Sequence, residues 1–263
     1  MNSFFTYAED ILLVKLLIAH CLSDFFLQPN SWVADKKNKV WASGYLYIHV
    51  LMTGIVTGLF LWNILLGGAV LIITLSHLLI DGLKMQAERH FKKADFYLFV
   101  IDQLLHITVI VLTWLWIING WADWAKMINS IAGDYSVWLK GLGYIFVTTP
   151  VGYIINFLTR KWNNDLAYND SLRDAGKWIG ILERLLILTM VFINQFSAIG
   201  FLVAAKSILR VTDKPDKLSP DPTMGRPFSS RKHTEYILIG TFLSVGIAIF
   251  TGLAINELLE IKK

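Results

Sequence analysis

Eight apolar runs, separated by polar stretches, divide the chain near 9–28, 44–62, 65–84, 97–119, 138–158, 176–193, 197–210 and 236–257. A helix takes about 20 mostly apolar residues to cross the hydrocarbon core. The pattern therefore predicts an all-α, polytopic transmembrane helical bundle of about seven to eight membrane helices. The seventh run is short for a crossing, and with the sixth it forms a short helical hairpin turning at Asn194-Gln195. Composition agrees with a bilayer as solvent: 55% of the 263 residues are apolar and 17% charged, against about 25% charged in a soluble domain. Met1 to Asp10 has no Lys or Arg and carries Glu9 and Asp10, which reads as the approach to a retained first helix rather than a cleaved signal. The single cysteine, Cys21, leaves no disulfide framework.

Charge orients the helices. With Met1 outside and all eight runs crossing, the inside loops hold 18 of the chain's 24 Lys and Arg residues. That bias is the positive-inside signature, and it favours both termini outside with the large basic loops cytoplasmic. Two domains are expected: residues 1–120, and residues 121–263 with a basic, proline-containing cytoplasmic loop at 211–234. Trp121 and Trp124, between them, suit the membrane interface. The basic loop has no aromatic-basic alternation and no groove-reading motif, so no nucleic acid is expected.

Chemistry concentrates in the first four runs. His20, His49, His77 and His106 fall inside them together with Asp24, Asp81 and Asp102. One carboxylate at a helix centre costs about 2.5–3.5 kcal/mol on insertion scales, so three of them imply an interior purpose. His20/Asp24, His77/Asp81 and Asp102/His106 are each four apart and share a helix face. Their order reverses where the helix direction reverses, so all three pairs place Asp nearer the cytoplasm, and His49 falls at the depth of the Asp layer. Imidazole with carboxylate is a ligand set for zinc, and also for manganese or iron. One ion, or two bridged by a carboxylate, would be held. The alternatives are a proton or ion pathway, and plain hydrogen bonding among the side chains. Lys15, a turn and a half from His20, is read as reaching for the outer interface.

These residues carry a resemblance. Ala19-His20-Cys21-Leu22-Ser23-Asp24-Phe25-Phe26-Leu27-Gln28, then His49, Ser76-His77-Leu78-Leu79-Ile80-Asp81 and Asp102-Gln103-Leu104-Leu105-His106, resemble a bacterial integral-membrane family, domain of unknown function 3307. The stretches at 176–184, 205–210 and 235–241 are similar to the C-terminal extension of its longer members. The resemblance implies a bacterial inner-membrane protein and supplies no activity.

Function is therefore read from the cluster. The leading expectation is a metal-dependent hydrolase of a membrane-associated substrate, with Asp24 or Asp102 as general base. A divalent-cation or proton transporter, and a metal-stabilised scaffold, are the other classes. No GxxxxGK[ST], GxSxG or HExxH motif occurs. The lipid bilayer is the expected partner, and the glycines at 240, 246 and 252 suggest close helix packing, within one chain or in a homo-oligomer. In the hairpin, Glu183 and Lys206 lie equally far from the turn. Glu183 is expected to pair with Lys206 or Arg210; the alternative is that Lys206 and Arg184 extend to the headgroups.

Overall fold

The computed structural model describes residues 4–62, 66–163, 175–212 and 230–262, with side chains given up to 160, from 175 to 206 and from 238 onward in the C-terminal half. Among these residues the secondary structure is helical and contains no strand. Two compact units divide at residues 131 and 132.

The first unit contains α1 (Tyr7–Cys21), α2 (Asn30–Lys39), α3 (Gly44–Leu61), α4 (Gly67–His90) and α5 (Asp95–Ile118). α6 (Trp121–Gly133), which buries no side chain, runs on to its boundary. α1 opens on a capping box, in which Thr6 and Glu9 satisfy each other's backbone N–H groups. It does not continue as one regular helix through the apolar run. Leu22–Phe26 is a π turn, closed by Leu27 N donating to the Leu22 carbonyl at 2.9 Å.

Each long helix of this unit is inverted relative to a soluble one. On α4 the stripe Ala69, Ile73, His77, Asp81 and Met85 is buried, while Leu71, Leu75, Leu79 and Leu83 are exposed on the opposite face. Both stripes step by four, the spacing of one helix face. Apolar side chains outside and imidazole and carboxylate inside are what a lipid solvent selects. The interior has an apolar layer, Leu16, Leu61, Ala69, Ile73, Ile110, Trp114 and Leu115. Trp114 fixes its outer end by donating Nε1–H to the Glu9 carbonyl at 2.8 Å. Beyond this layer lies the polar one.

The second unit comprises α7 (Tyr135–Val147), α8 (Thr149–Asn163), α9 (Ala175–Phe192), α10 (Phe196–Thr212) and α11 (Ser230–Ile261) around Val147, Ile187, Leu188, Val191, Ile199 and Ala248. The run at 138–158 is two helices, because Pro150 has no N–H and its ring crowds the carbonyl four residues back. Asn194, at φ 58°, makes the α9–α10 turn, a left-handed position that asparagine tolerates. Gly252 packs on Val191, where an added Cβ would approach to 2.6 Å. Most of the 211–234 segment lies outside the described residues.

Among the described residues five helical stretches are long and apolar enough to cross a membrane: Gly44–Leu61, Gly67–His90, Asp95–Ile118, Tyr135–Arg160 and Leu238–Ile261. The other three runs differ in kind. Tyr7–Phe26 is a continuous helical stretch carrying Glu9, Asp10, Lys15 and Asp24, α9 carries Lys177, Glu183 and Arg184, and α10 is the shorter apolar helix.

Candidate metal centre

All seven His and Asp residues meet inside the first unit. Three groupings could hold an ion: His20, His77 and His106; Asp24, His49 and His77; and Asp81, Asp102 and His106. In the second, Asp24 Oδ1 lies 3.6 Å from His49 Nε2 and 3.4 Å from His77 Nε2, and the two imidazole nitrogens are 2.9 Å apart. Two ligands at about 2.0–2.1 Å from a tetrahedral zinc stand about 3.3 Å apart, so this triangle has the dimensions of a ligand face. In the third, His106 Nε2 lies 3.4 Å from Asp81 Oδ1 and 3.5 Å from Asp102 Oδ1. The imidazoles of His77 and His106 stack between the groups, with centroids 4.1 Å apart.

The π turn contributes here. Ser23 donates to the His20 carbonyl at 2.9 Å, and Asp24 turns in, 3.7 Å from His20 Nδ1. Lys15 is exposed on the far face of α1.

Three residues that spacing alone did not single out complete the site. Lys36, 1% exposed, donates to Asp81 Oδ2 at 2.6 Å. Lys84 donates to Asp102 Oδ2 at 3.0 Å. Gln103 lies between Asp24, Asp102 and His20, at 3.4, 3.1 and 3.3 Å. Lys36 belongs to α2, which lies within the run of residues read as a loop at 29–43. Its signal was present: Trp32, Val33, Lys36 and Val40 share a face at helical spacing, and all four are at least half-buried. Asp35 ties the exposed face down, accepting from Ser43 at 2.7 Å and pairing with Lys39, which holds its carboxyl below the usual carboxylate range.

Trp41 clamps α2 in place. Its ring covers Gly82, next to Asp81, so closely that an added Cβ would meet ring carbons at 2.1 Å. Its Nε1–H donates to Gln86 at 3.2 Å. Gly82→Ala is therefore expected to lower the stability of the purified protein by about 1–3 kcal/mol, the usual cost of overpacking, read as a shift in its unfolding curve. An unchanged curve would mean that the ring is free to move.

Among the described residues three buried atoms of the cluster have no hydrogen-bond partner, His49 Nδ1, Asp102 Oδ1 and His106 Nε2, the last two standing 3.5 Å apart. Buried polar atoms are rarely left so, and a place for an ion is one of the usual reasons. The donor set and the triangle dimensions thus fit a divalent cation.

In the second unit, α9 and α10 bring Glu183 and Lys206 together as an ion pair, with both side chains mostly buried. Arg184 turns inward rather than out to the headgroups, donating to the carbonyls of Val147 and Thr148. The side chain of Arg210 lies outside the described residues.

A helical membrane protein with a buried His/Asp centre is the class that this fold and cluster define. Residues 12–133 match the model of a family described as protein of unknown function, DUF3307. The matched stretch contains every residue of the cluster, Lys36, Lys84 and Gln103 included. The chain matches no curated protein and no solved structure.

Proposed function

We propose that the first unit is a metal-dependent hydrolase centre with one divalent cation, zinc before manganese or iron, held by Asp24, His49 and His77. The observation that carries this reading is the complete triangle of ligand atoms with edges of 2.9, 3.4 and 3.6 Å. Charge favours one ion. Three carboxylates against Lys36 and Lys84 leave the cluster one negative charge with neutral imidazoles, which one divalent cation offsets and two would far exceed. Asp24 is the carboxylate with no lysine on it, so it is the natural ligand.

A bound divalent cation would lower the pKa of a coordinated water and polarise the scissile bond. The chain's own groups would do the rest. Asp102, with Oδ1 free and Oδ2 held by Lys84, is placed as general base, and His106 Nε2 beside it can pass the proton on. Lys36 fixes Asp81, and Gln103 orients Asp24 and Asp102 from outside the ligand face. A substrate reaching such a site laterally would be membrane-associated, and the basic loops would place it on the cytoplasmic side of a bacterial inner membrane.

The lysine pairs also support a second reading, in which the network is closed by Lys36–Asp81 and Lys84–Asp102 and relays protons without metal. Elemental analysis of the gently purified protein separates the two. About one ion per chain is expected, lost in His77→Ala and kept in Asp102→Asn. Two ions per chain would add the Asp81, Asp102 and His106 group as a second seat. A metal-free wild type after reconstitution with zinc, manganese and iron would overturn the proposal in favour of the relay.

A further inference from the structure

An arginine inside a membrane unit calls for a reason, because the cost of burying it is recovered only through a partner or a ligand. Arg184 is 4% exposed and, among the described residues, has no carboxylate in salt-bridge contact. It sits where Pro150 breaks the helix between α7 and α8, donating Nε to Val147 O, Nη2 to Thr148 O at 2.9 Å and Nη1 to Ser244 Oγ at 3.3 Å. A guanidinium has five N–H groups. These three bonds leave one on each terminal nitrogen. Gly180 and Gly152 keep the space beside them open, since a Cβ there would stand 3.2 and 3.7 Å from the two nitrogens.

That space is a cavity of about 500 Å³ within the second unit, with Arg184, Thr159 and Ile181 at its buried floor and Tyr153 and Lys177 at its exposed rim. The volume is in the range of small-molecule sites. Among the described residues two cations line it and no carboxylate does. Glu183, the nearest acid in sequence, faces an adjoining cavity and is neutralised there by Lys206. The Thr148 and Thr159 hydroxyls donate to helix carbonyls at 2.6 and 2.8 Å, so among the described residues the donors left open are Arg184, Lys177, the Asn156 amide and the Thr149 and Tyr153 hydroxyls. Donors of this kind, two of them cationic, recognise an oxyanion.

We propose that the second unit binds the phosphate or carboxylate headgroup of an anionic membrane amphiphile in the cavity between α8 and α9, with Arg184 at its floor and Lys177 at its rim. The headgroup enters past Tyr153 while its acyl chains stay in the lipid along the exposed apolar faces of these helices. The site is separate from the His/Asp cluster and stands whether or not that cluster holds metal.

Thermal unfolding of the full-length, delipidated protein tests this, with added phosphatidylglycerol, phosphatidylcholine or inorganic phosphate. Phosphatidylglycerol is expected to raise the melting temperature well above the effect of phosphatidylcholine, and to do so at least fivefold less potently in Lys177→Gln. Lys126→Gln, in the first unit, should respond as wild type does. Arg184→Lys should lose the response; if that variant does not fold, the exposed Lys177 decides. Saturation by inorganic phosphate alone, with the same loss in Lys177→Gln, assigns the cavity to a free oxyanion and overturns the lipid assignment. Equal responses to the two lipids, or an unchanged response in Lys177→Gln, overturn the site altogether.

Discussion

Lys36→Ala is expected to destabilise the protein by about 3–5 kcal/mol, the usual cost of removing one member of a buried ion pair. The variant leaves the Asp81 carboxylate among three imidazoles, His49, His77 and His106, with its closest cation gone, in a layer that bulk water does not reach. Replacing both charges is a different matter. Lys36→Met with Asp81→Asn removes the stranded carboxylate and should recover most of the loss, since well-packed neutral substitutes for buried pairs are often as stable. Denaturant unfolding in mixed micelles gives both numbers. On the ligand assignment proposed above, the double variant also keeps its ion, because Asp24, His49 and His77 are untouched. Full stability in the single variant would show that Lys36 is not docked on Asp81 in the membrane.

The second large effect is expected at the α9–α10 hairpin. Glu183→Gln should cost about 3 kcal/mol, the lower end of the range for buried pairs, because the Glu183 and Lys206 side chains keep 14% and 16% of their exposure. The reversal Glu183→Lys with Lys206→Glu should return only part of this. It restores the pair but sets a lysine beside Arg184, where the wild type has a carboxylate. A melting temperature unchanged by Glu183→Gln, in detergent and in lipid, would mark the pair as incidental.

The helices were legible in the sequence because lipid-facing segments must be apolar over their whole outer surface, and nothing else in the chain reads that way. The cluster was legible for the same reason reversed: His77 and Asp81 stand out against Leu75, Leu79 and Leu83. Lys36 was harder to read. In Asn30-Ser31-Trp32-Val33-Ala34-Asp35-Lys36-Lys37-Asn38-Lys39 a buried lysine sits among exposed ones, and composition does not say which of the three turns inward; only the face it shares with Trp32, Val33 and Val40 does. Lys84 was hidden by position, at the very end of its apolar run, where a cation usually meets headgroups. The 138–158 run reads as one helix although Pro150 breaks it, and only the packing of α9 shows that Arg184 takes up carbonyls at that break.

The π turn at Leu22–Phe26 has a consequence for how this helix tolerates length change. A residue removed from an α-helix rotates everything beyond it by about 100°. Deleting Phe25 or Phe26, both exposed, would instead let the wide turn relax to α geometry, which absorbs the lost residue there and withdraws the bulge that carries Asp24 into the cluster. Asp24 is therefore the group such a deletion displaces, and related chains should keep the length of the 20–29 segment even where its exposed residues change.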